Sequence, residues 1–274
     1  MHGAGYSYDL FARKGVVMGS RSAASPWAGD QAPHLPCRRG ELPEVVFFPG
    51  DPARVDRFAG VLEGFRILGQ NREFRVGVGS YRGVAMGVVS TGIGGPSTEI
   101  ALVEAAELGC KVALRVGGTG VLDEGIALGS VLVVEEALRG GGAAALYAAP
   151  DHAAKPDPSV VAALVRALNE GEVPYRRVEV ASIDGYYAGQ GRAYPGSPGG
   201  EDAVLEGYRS KGVSALDMEA ETILIVGEAV GLKAGVVLAV HANRANDTWL
   251  EEYEPAQERM IQVACEAMWG LLVY

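Results

Sequence analysis

Val84-Ala85-Met86-Gly87-Val88-Val89 runs directly into Ser90-Thr91-Gly92-Ile93-Gly94-Gly95-Pro96-Ser97. The first stretch carries no polar side chain, so it reads as a strand buried on both faces. Gly92, Gly94, Gly95 and Pro96 then end it, and residues 98–108 carry a helical pattern that stops at Gly109. Pro, Ser and Thr at its start with Gly at its end are ordinary helix punctuation. Residues 112–116 form the next apolar strand. This strand, glycine loop, helix, strand succession decides the fold class.

The same grammar extends outward. Val45-Val46-Phe47-Phe48 is cut off by Pro49-Gly50-Asp51-Pro52, and a helical stretch is expected over 53–62. Strands are expected over 72–79 and 84–89, joined by the polar turn Ser80-Tyr81-Arg82-Gly83. Gly117-Gly118-Thr119-Gly120 is read as the end of strand 112–116. Further strands are expected over 130–134, 177–181 and 235–240, and helices over 160–168, 218–230 and 255–272. Apolar strands alternating with helices imply an α/β fold with a sheet covered on both faces. Residues 1–32, rich in Gly, Ala and Ser and without a sustained period, read as an N-terminal extension to a single domain over 33–274.

Composition narrows the function. Of 274 residues, 48% are hydrophobic and 21% charged, enough apolar material for a sizeable core. The net charge of −10 argues against nucleic-acid or membrane-surface binding, since phosphate polymers repel such a chain. An anionic ligand would need its positive charge supplied locally. Cys37, Cys110 and Cys265 lie far apart, at neither metal nor redox spacing, and Cys110 and Cys265 sit in apolar surroundings that suit core residues. Cysteine usage fits a reducing cytoplasm, no apolar run nears the roughly 18 residues of a membrane helix, and the start lacks a secretory pattern.

In such folds ligands gather at the carboxyl ends of strands. Here three of those ends are glycine-rich: after Phe48, after Val89 and after Val116. Arg54 follows the first, and Arg115 sits inside the apolar strand Val112-Ala113-Leu114-Arg115-Val116. A charge there is either one half of a buried ion pair or an anion-binding group at the strand end. Arginine's planar fork suits phosphate oxygens, and glycine lets backbone N–H groups approach them. On its own, Arg72 reads as a solvated charge, and Glu219 as a carboxylate at a helix start.

Four ordered motifs make the reading specific. Phe48-Pro49-Gly50-Asp51-Pro52-Ala53-Arg54, the octet from Ser90 to Ser97, Leu114-Arg115-Val116-Gly117-Gly118-Thr119-Gly120 and Asp217-Met218-Glu219-Ala220 resemble signatures of the nucleoside phosphorylase family. That family includes uridine phosphorylases and the hexameric purine enzymes, and the resemblance covers about residues 33–272. It implies a single-domain, three-layer α/β/α phosphorylase fold with a central mixed, partly barrel-like sheet. It also implies phosphorolysis of a nucleoside, with inorganic phosphate as co-substrate and with no metal or other cofactor.

The resemblance assigns phosphate contacts to Gly50, Arg54 and Arg115 of one subunit and to Arg72 of its neighbour. Where the family places a Thr or Ser hydroxyl, this chain has Gly118, and the expected substitute is either Thr119 beside it or the backbone N–H alone. Ribose contacts fall on Met218, Glu219 and, across the subunit interface, His34. Tyr186-Tyr187-Ala188-Gly189-Gln190-Gly191-Arg192 resembles the uridine phosphorylase base site, with Tyr186 packing on the nucleoside and Gln190 and Arg192 on the pyrimidine. A Gln amide and an Arg match uracil, whose two carbonyl acceptors flank one N–H donor. In His241-Ala242-Asn243-Arg244 no acid occupies the position with which the purine enzymes protonate the ring, which favours a pyrimidine. The expected catalytic residues are Arg115, Glu219 and Arg192. Sites shared between subunits imply a homo-oligomer built on dimers, most commonly a hexamer. The rival readings are a purine phosphorylase, a hydrolytic nucleosidase and a non-catalytic nucleoside binder.

Overall fold

A computed structural model of the chain describes residues 22–274. Most of the extension expected over 1–32 therefore lies outside the described residues. Its last part joins the body: Ala32 is buried, Trp27 packs on the core, and Gln31 bridges to Arg38.

The strands are β1 (Val45–Phe48), β2 (Glu63–Asn71), β3 (Phe74–Tyr81), β4 (Val84–Val89), β5 (Val112–Val121), β6 (Val131–Gly140), β7 (Tyr175–Ile183), β8 (Ala215–Asp217), β9 (Lys233–Asn243) and β10 (Thr248–Trp249). The helices are α1 (Pro52–Arg57), α2 (Gly95–Glu107), α3 (Pro158–Glu170), α4 (Glu201–Arg209), α5 (Ala220–Ala229) and α6 (Glu254–Val273). The sheet runs β10-β9-β6-β7-β8-β5-β1-β4-β3-β2, and a further β9–β5 pairing closes β5, β8, β7, β6 and β9 into a small barrel. Pairings are mixed: β1 lies parallel to β4 and β5, β5 parallel to β9, and β2–β3–β4 form an antiparallel meander. This is the mixed, partly barrel-like sheet expected.

Layering follows from the two-residue side-chain period of strands. On β1, Val46 and Phe48 face a core built with Leu102 of α2 and Ile223 of α5. Val45 and Phe47 face the opposite core, with Leu164 of α3 and Met260 of α6. Helices thus cover both faces, and apolar side chains fill both layers, the dominant stabilising contribution in a fold of this kind. Cys37, Cys110 and Cys265 are all buried. Among the described residues no helix is long and apolar enough to cross a membrane.

Several boundaries differ from expectation. The helix expected over 53–62 ends at Arg57 and tightens into a 3-10 turn over Phe58–Gly60. Arg72 does not begin a strand; it sits exposed at the tip of the β2–β3 hairpin with φ +55°. The glycines after Val116 do not end β5, which continues to Val121 in parallel register with β9. Helix α5 begins at Ala220, so Met218 and Glu219 lie just before it. The β1–α1, β4–α2, β5 and β9 segments all bring their carboxyl ends to one side of the sheet, where the principal cavity opens.

Candidate active site

The cavity holds about 650 Å³ and is lined from eight separated segments of chain, Glu73 and Trp249 among them. Gly50 and Arg54 come from the β1–α1 turn, Arg115, Gly118 and Thr119 from β5, and Tyr186, Gln190 and Arg192 from the segment after β7. Met218 and Glu219 come from the β8–α5 junction, His241 from β9, and Gly92 and Ile93 from the β4–α2 loop. The structure therefore brings together every expected site residue except His34 and Arg72, neither of which lines this cavity.

At its floor is a buried charge cluster. Arg115 is only 4% exposed, and its Nε and Nη2 donate to Asp217 Oδ2 at 2.9 and 2.7 Å. Nη2 also lies 2.6 Å from Glu219 Oε2. A β-carbon on Gly117 would stand 2.7 Å from Arg115 Nη2, so only glycine leaves space for the guanidinium to fold back along β5. Burial alone would lower the Arg115 pKa, but Asp217 and Glu219 outweigh it and hold the group above its ordinary value. Arg115 is thus half of a buried ion pair, as one of its two sequence readings had it, and it also lines the cavity.

Asp217 is the residue that sequence reasoning missed. It was visible inside the Asp217-Met218-Glu219-Ala220 motif, yet its partner lies 102 positions away. Besides holding Arg115, it accepts from the backbone N–H of Glu219 at 2.7 Å and of Ala220, which starts α5. Glu219 in turn accepts from Gly94 N–H at 2.6 Å. Gly94 adopts φ +92°, a left-handed conformation that glycine reaches without steric cost. The β4–α2 loop is thereby tied to the carboxylate. Burial pushes the Glu219 pKa up, against the pull of Arg115.

Arg54 is also buried, and its Nη1 donates to Val116 O at 3.1 Å. Burial and then the charge of Arg115 lower its pKa to about 10. Arg54 Nε and Arg115 Nη1 are buried donors with no hydrogen-bond partner among the described residues. Buried donors are nearly always satisfied, so a pair of unpaired ones in one cavity marks a place for an acceptor. Thr119 lines the cavity as expected, but its hydroxyl donates to Leu216 O at 2.7 Å.

At the other end, Arg192 stacks its guanidinium 3.8 Å over the Tyr186 ring, and its Nη1 donates to Gln190 Oε1 at 2.7 Å. Gln190 is buried; Arg244 donates to its backbone carbonyl at 3.0 Å and to that of Gly191 at 2.8 Å. Arg244 thus fixes a loop that residue spacing gave no means of locating. Burial lowers the Arg192 pKa.

His241 lines the cavity against Gly118. Burial, and next the charge of Arg54, lower its pKa from 6.5 to about 4. The folded value lies below the unfolded one, so the neutral ring's contribution to stability is complete above pH 6.5 and is lost as pH falls towards about 4. Denaturant unfolding across that window should show a steeper loss of stability for the unaltered chain than for His241→Asn; equal slopes would contradict it.

His34 and Arg72 lie outside this cavity, and Asn71, next to Arg72, reaches His34. Asn71 Nδ2 donates to His34 O at 2.9 Å, and His34 Nδ1 sits 2.6 Å from Glu104 Oε1.

A family model described as the phosphorylase superfamily matches residues 44–272. The chain is similar to a uridine phosphorylase of Thermococcus kodakarensis, 36% identical over 239 residues that cover 86% of this chain and 84% of the relative. It is similar to the uridine phosphorylase of Escherichia coli, 32% identical over 87% of this chain and 97% of the relative. A guanosine phosphorylase of Halorubrum lacusprofundi is 28% identical over 87% of this chain and 98% of the relative.

Proposed function

The chain belongs to the phosphorylase superfamily, and we propose that it is a pentosyltransferase that cleaves uridine with inorganic phosphate into uracil and ribose 1-phosphate. One observation carries this reading. The unpaired buried donors of Arg54 and Arg115 share a cavity with the Gln190–Arg192 pair, with the Glu219 carboxylate lining the same space.

Phosphate would sit between Gly50, Arg54 and Arg115. A dianion there offsets both the burial of the Arg54 charge and its repulsion by Arg115. Met218 and Glu219 hold the ribose, the carboxylate accepting from its hydroxyls. A phosphate oxygen forms the new bond to the anomeric carbon while the carbon–nitrogen bond breaks, and the electron pair leaves with the base. Positive charge developing on the sugar is stabilised by the dianion beneath it, and negative charge growing on uracil by Arg192. Gln190 offers an amide N–H to one ring carbonyl, and its oxygen keeps a lone pair for the ring N–H beyond the bond from Arg192.

We place His34 and Arg72 in the site of a neighbouring copy, which makes the working unit at least a dimer. His34 supports this: its Nδ1 is engaged by Glu104, which leaves Nε2 to accept from a ribose 5′-hydroxyl of the adjoining site.

Base release from uridine, inosine and guanosine, each with and without phosphate, tests the reading. Uridine should be cleaved only with phosphate, and Arg192→Ala should lower uridine kcat/KM about 100-fold without changing the melting temperature. Release from the purine nucleosides instead would overturn the base assignment, as would near-normal uridine turnover by Arg192→Ala.

A further inference from the structure

Gly118 and His241 are two halves of one arrangement. Strands β5 and β9 run in parallel register from Val112 to Thr119, which pairs with Val240, but Gly120 pairs with Ala242. His241 is the residue skipped, the extra position of a bulge, and bulges beside cavities re-aim a side chain. Here the imidazole is turned onto Gly118: a β-carbon built there would stand 2.5 Å from both His241 Nδ1 and Cε1. The ring thus fills the volume that a side chain at 118 would occupy, and both residues line the cavity together with Arg54 and Arg115.

The ring is also held from behind. Gln257 of α6 is buried, and its amide nitrogen lies 3.4 Å from His241 Nε2. An amide N–H pointing at Nε2 makes that atom the acceptor, so the ring proton belongs on Nδ1, the edge facing Gly118. Tyr253 lies against the ring at 5.2 Å between centroids.

We propose that His241 is a phosphate-binding residue whose Nδ1–H donates to the bound anion in place of the side-chain hydroxyl that Gly118 lacks. The inference rests on the phosphorolytic reading above. It also gives the phosphate end a side-chain donor beside the arginines, since the Thr119 hydroxyl is already spent on Leu216 O. The low pKa of about 4 keeps the ring neutral at ordinary pH, so the donor adds no like charge next to Arg54.

Steady-state kinetics with phosphate and uridine varied separately tests it, alongside calorimetric titration with inorganic phosphate. His241→Ala should raise the phosphate KM about tenfold and leave the uridine KM within about twofold. Gly118→Ala should do the same by displacing the ring. His241→Asn, whose amide nitrogen can stand near the position of Nδ1, and the double variant Gly118→Thr/His241→Ala, which exchanges imidazole for hydroxyl, should each recover most of the loss. An unchanged phosphate KM in His241→Ala overturns the proposal, and so does a rise confined to the uridine KM. If the unaltered chain releases uracil without phosphate, the proposed function falls instead. Phosphate titration of the unaltered chain and His241→Ala needs no turnover and still decides the role of the ring.

Discussion

Replacing Arg115 by methionine is expected to remove phosphorolysis to within about a thousandth of normal kcat/KM and to lower folding stability by about 3–5 kcal/mol. The two effects have one origin. Arg115 is buried and bonded through Nε and Nη2 to Asp217, with Glu219 Oε2 2.6 Å from Nη2. Methionine preserves much of the volume but leaves two buried carboxylates without their counter-charge, and uncompensated buried charge is the costly outcome. The same change removes Nη1, a buried donor with no partner of its own, from a residue that lines the cavity. Denaturant unfolding and phosphate-dependent uridine cleavage measure the two losses independently. Adding Asp217→Asn to Arg115→Met should return part of the stability and none of the activity, because it removes one orphaned charge without restoring the donor. Recovery of activity in the double variant, or unchanged stability in the single one, would show that the ion cluster does not have this dual role.

How far that cluster was readable in the sequence depends on distance along the chain. Arg115 drew attention because a charge in an apolar strand is conspicuous, and Gly50, Arg54 and Glu219 sit in motifs whose order resembles a known family. Asp217 belongs to a three-residue strand, β8, too short to show any period, so neither the strand nor its pairing with Arg115 could be inferred. Strand β2 escaped for another reason: bulges between Glu63 and Arg66 and between Ile67 and Gly69 break the alternation, and its residues are half-buried or exposed. Helix α4 buries only Leu205, which leaves little apolar signal.

Gly117-Gly118-Thr119-Gly120 shows a local rule overridden by its surroundings. Consecutive glycines weaken a strand, and by that rule alone they end this one. In the folded chain they continue β5, because the space their missing side chains leave is taken by Arg115 at Gly117 and by His241 at Gly118. Glycine in this strand serves close approach of functional side chains. Helices α1 and α3, expected from 53 and 160, start at Pro52 and Pro158, where the determinants are local: Asp51 and Asp157 accept from backbone N–H groups two positions on.

Glu219→Gln is expected to lower uridine kcat/KM by about 100-fold or more and to lower deoxyuridine kcat/KM by less. The carboxylate has two distinct neighbours. Oε1 accepts from Gly94 N–H at 2.6 Å, and Oε2 faces the Arg115 guanidinium at 2.6 Å. Each oxygen retains lone-pair capacity towards the cavity, which suits the paired hydroxyls of a ribose. Glutamine has nearly the same shape but replaces one acceptor by an NH₂ group. In either orientation that group opposes another donor, Gly94 N–H in one and Arg115 in the other, so no rotamer satisfies the site. Losing the Gly94 contact would also release the β4–α2 loop, whose Gly92 and Ile93 line the cavity. A substrate without the 2′-hydroxyl has less to lose, so its kcat/KM should fall less than that of uridine. Competition between the two nucleosides in a single reaction measures the ratio directly. If Glu219→Gln keeps the ratio of the unaltered chain while losing activity, the carboxylate acts by holding Arg115 and the loop, and ribose recognition belongs to other groups in the cavity.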